Sequence, residues 1–107
     1  MVKGKAKIEI IQGDSYQKNV VIENVQHEFI DSVYISCKGL NICQQLTYSS
    51  QRDKYTFFLT RQETTDLPNG TYDYDLTIKF MDDIVKTIPY RESLVILPKL
   101  NKVGCFQ

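Results

Sequence analysis

The chain has no tryptophan, a single histidine and only two methionines, and its acidic and basic residues are equal in number at 13 each. A net charge of zero provides no global field that would steer the protein toward nucleic acid or an anionic membrane. The sequence also lacks an apolar run long enough to span a bilayer, and no signal-peptide core follows its N-terminal lysines. We therefore expect a protein that is made in the cytoplasm, is not exported by the usual route and contacts neither nucleic acid nor membrane.

The cysteines are also few. Cys37, Cys43 and Cys105 are odd in number, whereas a disulfide scaffold normally has an even number at higher density. Cys37 and Cys43 could face each other across a hairpin, but their spacing matches no metal-binding or redox motif. We predict free thiols.

Side chains arranged for catalysis are equally scarce. The sequence contains no glycine-rich phosphate loop, no serine nucleophile elbow and no Cys–His pair. His27 has no orienting partner nearby in the sequence, which favours an ordinary surface histidine. Asp73 and Asp75 lie on the polar face of a predicted strand, and Asp82 and Asp83 are typical of a hairpin turn rather than a calcium site. We therefore predict no enzyme, no cofactor and no metal.

The most regular pattern that is present is the alternation of residues 71–80. A period of two indicates a strand of an antiparallel sheet with one buried and one solvated face. The predicted buried side consists of Tyr72, Tyr74, Leu76, Ile78 and Phe80. Residues 67–70, Leu-Pro-Asn-Gly, predict a corner before this strand. A tyrosine just after such a corner is where sandwich domains bond a hydroxyl back to the incoming backbone.

Further strand-like segments recur about every ten residues with turn signals between them, as expected for a sandwich or small barrel. They are residues 6–12, 18–23, 32–38, 42–48, 54–60, 84–88 and 93–97. Residues 61–67 predict a single helical turn that bridges two sheets, and Val25 and Phe29 are expected to point inward from a polar connection. The fold prediction is an all-β, antiparallel, immunoglobulin-like β-sandwich of seven to eight strands.

We predict one domain over residues 1–107, with a core at 6–98 and short arms at 1–5 and 99–107. The arms have two interpretations, either frayed termini or segments that dock on neighbouring subunits through lysines and apolar anchors. Because Pro89 cannot donate a backbone hydrogen bond, it marks a strand edge or break, and an open edge there is a candidate for strand addition. The candidate partner-binding residues are Lys3, Lys5, Lys7, Pro89, Tyr90, Leu100, Lys102, Val103 and Phe106.

Three motifs in this order resemble a known family. They are Ile-Ile-Gln-Gly-Asp-Ser at 10–15, Leu-Pro-Asn-Gly-Thr-Tyr at 67–72 and Ser-Leu-Val-Ile-Leu-Pro at 93–98. The chain is similar in these motifs to the small immunoglobulin-like domains of bacteriophage virion proteins, such as the N-terminal domain of the baseplate upper protein and stand-alone auxiliary proteins of heads and tails. Baseplate upper proteins continue into a long second region, whereas this sequence stops at Gln107, so we expect a free-standing virion component.

The resemblance implies attachment rather than catalysis. It suggests a structural protein of the virion, bound to the major capsid protein or other virion proteins in many copies, with the neck or tail as an alternative position. A second hypothesis, from another class, is a sandwich that binds a glycan or other ligand through its loops. In that case Tyr48, Arg52 and Tyr90 would be the stacking and hydrogen-bonding candidates.

Overall fold

Nine strands make up most of residues 2–99, the part of the chain that the computed structural model describes. Between them lie one short helix, α1 (Arg61–Thr65), and two 3-10 turns, His27–Phe29 and Lys38–Leu40. None of these helical segments is long and apolar enough to cross a membrane. The strands are β1 (Val2–Lys3), β2 (Ile8–Ile11), β3 (Tyr16–Ile22), β4 (Ile30–Cys37), β5 (Ile42–Gln45), β6 (Thr47–Ser49), β7 (Lys54–Leu59), β8 (Gly70–Phe80) and β9 (Val85–Leu97).

The strands form two sheets, one with the order β1-β3-β7-β6 and the other with the order β2-β9-β8-β4-β5. Strands from both halves of the chain contribute to each sheet, as in sandwiches of the immunoglobulin type. The predicted all-β sandwich is therefore confirmed. One strand pair departs from the antiparallel prediction, because β2 runs parallel to β9.

The two sheets enclose one core in which side chains of both inner faces meet. Alternate residues of each strand point inward, and the largest fully buried side chain is Phe57 of β7. Of the side chains predicted to point inward from β8, Tyr74, Leu76 and Ile78 are buried, and Tyr72 and Phe80 are partly buried against the core. The other core side chains of the strands are Ile8, Ile10, Val20, Ile22, Ile30, Val33, Ile35, Cys37, Tyr55, Leu59, Tyr74, Leu76, Ile78, Leu94 and Ile96.

The chain changes sheets where the sequence predicted a single strand, residues 42–48. β5 belongs to the five-stranded sheet and β6 to the four-stranded sheet, and Leu46 lies between them. The Leu46 side chain is buried, and its backbone N–H donates to the carbonyl of Val33 at 2.8 Å. Burial of this one leucine turns the chain across the edge of the sandwich, so one predicted strand becomes two.

Another predicted boundary is absent, because β9 continues through Pro89 as one strand. Three residues of β9, 91–93, lie opposite the single residue Asp73 of β8, which makes a bulge. Glu92 has a positive φ of 51° there, and its N–H donates to the Asp73 carboxylate at 2.7 Å. Asp73 therefore holds the bulge, and Pro89 marks a sheet edge rather than a break.

The corner before β8 has the predicted form. The Tyr72 hydroxyl donates to the carbonyl of Pro68 at 3.0 Å, and the carbonyl of Asn69 lies 3.4 Å away. The helix α1 follows β7 and leads into this corner, so it bridges the two sheets as predicted. A capping box between Thr60 and Glu63 begins α1 and satisfies backbone donors of its first turn.

The N-terminal residues differ from the predicted free arm. Val2 and Lys3 form β1, which pairs with the end of β3, and residues 4–7 then cross to the other sheet. The buried Tyr74 hydroxyl donates to the carbonyl of Ala6, and Lys18 Nζ donates to the carbonyl of Lys5 at 2.5 Å. Residues 4–7, the crossing segment, are therefore tied down by their backbone carbonyls.

Replacing Tyr74 with Phe tests whether this bond holds the crossing segment. The Tyr74→Phe variant leaves the Ala6 carbonyl without its buried donor, so we expect the free energy of unfolding to fall by about 1 kcal/mol or more. Urea denaturation followed by circular dichroism measures the change. Tyr72→Phe is a comparison at the other end of β8, because its hydroxyl bond to Pro68 is exposed and should contribute less. A Tyr74→Phe variant as stable as the natural chain would show that the bond contributes nothing.

Candidate interaction surface at the loop end

Three connections lie together at one end of the sandwich. They are residues 23–29 between β3 and β4, residues 50–53 between β6 and β7, and residues 81–84 between β8 and β9. The strand pairing brings them together, because Val20 near the end of β3 pairs with Tyr55 of β7, and Ile30 pairs with Phe80. We call this the loop end. Loops clustered at the ends of a sandwich are where antibody variable domains carry their binding residues.

Exposed apolar side chains concentrate at the loop end. Among residues 2–99, seven large hydrophobic side chains are exposed, and four of these belong to the loop end or its hairpin. They are Phe29 (58% exposed), Met81 (64%), Ile84 (59%) and Val85 (57%). We call these four residues the tip patch. Scattered single apolar residues are normal on a surface, but a group of them marks an interaction site.

Backbone hydrogen bonds set the position of the tip patch. The Met81 N–H donates to the Phe29 carbonyl at 2.9 Å, which ties the hairpin of β8 and β9 to the 3-10 turn before β4. The Phe80 N–H donates to the Ile84 carbonyl at 2.8 Å, and Asp83 has a positive φ of 70°. A depression of about 500 Å³ lies between Phe29, Phe80, Met81 and Asp82. The tip patch therefore lies on a hydrogen-bonded hairpin turn and on the 3-10 turn to which that hairpin is bonded.

Phe29 corrects one expectation from the sequence. The sequence predicts that it points into the core with Val25, yet only Val25 is partly buried against the core. The 3-10 turn His27–Phe29 ends directly before β4, and Ile30 takes the buried position at the start of that strand. Phe29 is therefore left outside, against the neighbouring hairpin.

An aromatic cluster lies beside the tip patch on the same end. The His27 ring stacks on Tyr48 with their centroids 3.4 Å apart and their planes 3° from parallel. His27 Nδ1 and the Tyr55 hydroxyl share a hydrogen bond of 2.8 Å, and the Tyr48 hydroxyl donates to Asp53 at 2.8 Å. The histidine, predicted as an isolated surface residue, is exposed but joins two strands and two loops.

The electrostatics of this cluster follow from its contacts. Burial raises the pKa of Tyr55 to about 12, with smaller contributions from Tyr48 and Asp53. The hydrogen bond to Asp53 is the main cause that raises the pKa of Tyr48. Both hydroxyls therefore stay protonated at neutral pH, so neither is poised to act as a general base.

Carboxylates lie close to the tip patch along the chain. Glu28 and Asp31 lie on either side of Phe29, and Asp82 and Asp83 form the hairpin turn. Asp31 and Asp83 each lie 3.9 Å from Lys79 Nζ, at the outer limit of an ion pair. The Asp82 carboxylate accepts the Ile84 N–H at 3.3 Å. We call these four acidic residues the acidic rim.

The predicted lysines take part mainly in the fold. Lys3 lies in β1, the Lys5 carbonyl is held by Lys18, and Lys7 Nζ forms an exposed ion pair with Glu9 at 3.1 Å. These lysines therefore lie in β1, the crossing segment and its junction with β2 rather than in a free arm. Leu100, Lys102, Val103 and Phe106 lie outside the described residues.

The predicted open edge exists. On β9, only residues 94–97 have β2 as an outer neighbour, so Val85–Tyr90 pairs on one side alone within the described part of the chain. However, Pro89 has no N–H to offer, and Lys86 is exposed on the same stretch. Proline and lysine are the residues with which proteins protect edges against strand addition. The Tyr90 ring stacks on Tyr74 with centroids 4.9 Å apart. The edge is therefore less suited to binding than the loop end.

The opposite end of the sandwich differs in character, because its polar groups are paired. The buried Thr64 hydroxyl of α1 accepts from the Gly13 N–H at 3.1 Å and donates to the Asp14 carbonyl at 2.8 Å. Lys99 Nζ contacts the Asp14 carboxylate at 2.6 Å. An open groove of about 640 Å³ passes this contact and Arg61, which donates to the Gly13 carbonyl. These bonds belong to the fold and hold the turn between β2 and β3.

Cys37 and Cys43 are free thiols, as predicted. Cys37 is buried in the core, whereas Cys43 is exposed and lies opposite Ser36 rather than Cys37. They therefore face opposite sides of the sheet and do not pair across the hairpin. Cys105 lies outside the described residues. Within residues 2–99, no group of three or more His, Cys, Asp or Glu side chains is arranged to hold a metal ion.

No protein-family model matches the chain, and no curated protein is significantly similar to it in sequence. Its function therefore has to be inferred from its own residues. Sequence reasoning missed the tip patch and the His27 cluster. One signal could have revealed the patch: Met81 and Ile84 flank the turn residues Asp82 and Asp83, and a hairpin turn offers no core in which they could be buried.

The contribution of the Thr64 hydrogen bonds at the opposite end of the sandwich can be tested by two substitutions of that residue. Thr64→Val keeps the shape of the side chain but leaves the Gly13 N–H and the Asp14 carbonyl unpaired, so we expect a loss of about 1–3 kcal/mol in unfolding free energy. Thr64→Ser keeps the hydroxyl and is expected to lose less. Thermal and urea denaturation give both values. A Val variant as stable as the Ser variant would contradict this assignment.

The Tyr55 hydroxyl predicts an alkaline loss of stability. Because its pKa in the folded state is raised above the ordinary value of 10.0, the folded state keeps a proton that the unfolded state releases. The stabilisation is complete below pH 10 and falls as the pH rises toward about 12. Urea denaturation between these pH values should show a shallower decline for Tyr55→Phe than for the natural chain. Identical slopes would contradict the prediction.

Proposed function

We propose that this chain is a non-enzymatic structural protein of a bacteriophage particle, an auxiliary protein attached to the capsid in many copies. The neck or tail is the alternative position. Its partners in this proposal are the major capsid protein or other virion proteins, and its location is the virion. Attachment takes place through the loop end, where the tip patch meets the partner.

The observation that carries the proposal is the tip patch itself. Phe29, Met81, Ile84 and Val85 are each more than half exposed, and they lie on two turns joined by the Met81–Phe29 hydrogen bond or, for Val85, on the strand residue that follows. Binding sites on a rigid sandwich are commonly built on loops at one end, because the strands hold the loops while leaving their sequence free. A phage component is favoured by the resemblance of the motifs at 10–15, 67–72 and 93–98.

The positions of those motifs in the fold support the proposal. The Gly-Asp-Ser step separates β2 from β3, the Gly-Thr-Tyr corner opens the long strand β8, and Leu-Val-Ile-Leu-Pro closes β9. The chemistry of the loop end supports a role without catalysis. The hydroxyls of its aromatic cluster are protonated, and His27 contacts Tyr48 and Tyr55 rather than a nucleophile.

The proposal predicts that particles carry the chain and lose it when the tip patch is changed. The full-length protein, epitope-tagged, is produced in host cells during growth of the phage that carries the gene, and purified particles are immunoblotted. We expect the natural chain to sediment with particles. The Met81→Ser/Ile84→Thr double variant should be reduced about tenfold or more, as for loss of two central interface side chains.

Phe58→Thr is the matched control, because Phe58 is an exposed apolar residue (43%) near the end of β7 that lies away from the loop end. It should be incorporated normally. Circular dichroism of all three proteins checks that they are folded. Failure of the natural chain to sediment with particles would overturn the virion proposal, and normal incorporation of the double variant would overturn the assignment of the loop end.

A ligand-binding sandwich is the second candidate function. Tyr48 and Arg52 both lie at the loop end, as loop binding of a glycan would require, but Tyr90 lies near the opposite edge, beside Tyr74 and the crossing segment. His27 also covers one face of the Tyr48 ring, a surface on which a sugar would stack. A glycan array distinguishes the two functions, because the structural proposal expects no binding.

A further inference from the structure

We propose that the partner of the loop end is a protein surface in which an apolar site is flanked by lysine or arginine side chains. The inference rests on the proposed function in one respect, that the loop end is the attachment surface. It adds the chemistry of the partner, and it follows from the charge around the tip patch.

The charge at this end is local, because the chain as a whole is neutral. Residues 27–31 and 79–86 carry the four carboxylates of the acidic rim and two lysines, Lys79 and Lys86, so their net charge is −2. Lys79 stands between Asp31 and Asp83 at 3.9 Å from each. Glu28 and Asp82 make no ion pair with a cation of residues 2–99. The apolar patch is therefore bordered by carboxylates that can accept from a cationic partner.

The same charge disfavours the other occupants of such a surface. A second copy of this chain would bring two acidic rims together, and like charges facing each other across an interface cost several kcal/mol in unfavourable cases. Nucleic acid and the surface of an anionic membrane are also negative and would be repelled. A protein surface with basic residues around an apolar site would bind both the tip patch and the acidic rim.

The geometry suits an anchor of one or two side chains. The depression between Phe29, Phe80, Met81 and Asp82 is open and holds about 500 Å³. Three of its four lining residues, Phe29, Phe80 and Met81, are apolar, and the fourth is Asp82. A leucine, methionine or aromatic residue of the partner would fill the depression, while a neighbouring lysine or arginine reaches the rim.

A peptide library tests this chemistry even though the partner is unidentified. Random displayed peptides of about 16 residues are selected on the immobilised full-length chain, with counter-selection on Met81→Ser/Ile84→Thr. We expect the recovered peptides to combine an apolar residue with two or more basic residues. Their affinity should fall several-fold when NaCl is raised from about 50 to about 300 mM, because salt screens exposed charges.

The decisive variant is Asp82→Asn/Asp83→Asn. Asparagine keeps the side-chain acceptor for the Ile84 N–H and tolerates the positive φ of Asp83, so only the charge changes. We expect roughly fivefold to tenfold weaker binding of the selected peptides at low salt. Glu9→Gln/Asp66→Asn is the control, since it removes two exposed carboxylates away from the loop end and should leave affinity unchanged.

Each outcome separates the two proposals. Peptides that depend on the tip patch but lack basic residues, or bind the Asp82→Asn/Asp83→Asn variant equally well, overturn the partner chemistry and leave loop-end attachment standing. Dimerisation in sedimentation equilibrium that Met81→Ser/Ile84→Thr abolishes would overturn it in favour of a second copy. Binding to vesicles rich in anionic lipid would overturn it in favour of a membrane. Normal incorporation of the tip-patch variant into particles would refute loop-end attachment, and the partner chemistry with it, while leaving the virion proposal standing.

Discussion

The register of β8 sets the position of its neighbouring strands and of the loops at both ends of the molecule. This strand lies inside the five-stranded sheet, paired with β4 on one side and β9 on the other. Its alternation places Tyr74, Leu76 and Ile78 in the core, and a slip by one residue would bury Asp75 and Thr77 in their place. Both ends of the molecule follow from that register. The Tyr72 corner precedes the strand at one end, and the hairpin that presents Met81 and Ile84 follows it at the other.

Features that depend on neighbours in sequence could be predicted, and features that depend on distant contacts could not. The alternation of β8, the tyrosine corner and the helical turn at 61–65 are local, because period, turn residues and capping are all written within a few positions. The change of sheet at Leu46 is different. An apolar residue within an alternating segment is equally compatible with one strand, and only the contact with Val33 decides that the chain turns there. The bulge opposite Asp73 likewise depends on a pairing 19 residues away.

The candidate site shows the same division more sharply. Charge at the termini pointed to Lys3, Lys5 and Lys7, but strand pairing and backbone hydrogen bonds incorporate this segment into the sandwich. His27 had no partner within reach in the sequence, because its contacts come from Tyr48 and Tyr55 on two other strands. The exposure of Phe29 depends on a single 3-10 turn that gives the buried position to Ile30. Hydrophobicity alone predicted burial and was wrong.

Comparing the free energy of burial with the cost of association shows how strongly the tip patch alone could bind a partner. Full burial of a large apolar side chain stabilises by roughly 1.5–3 kcal/mol. Each of the four tip residues is a little more than half exposed. Covering all four would therefore contribute roughly 4–7 kcal/mol in total. Association costs an estimated 4–15 kcal/mol, roughly, in lost translational and rotational freedom. The apolar patch alone would therefore hold a single copy weakly at best. Stable attachment therefore needs further contacts, and charge-assisted hydrogen bonds between the acidic rim and basic residues of the partner would supply them.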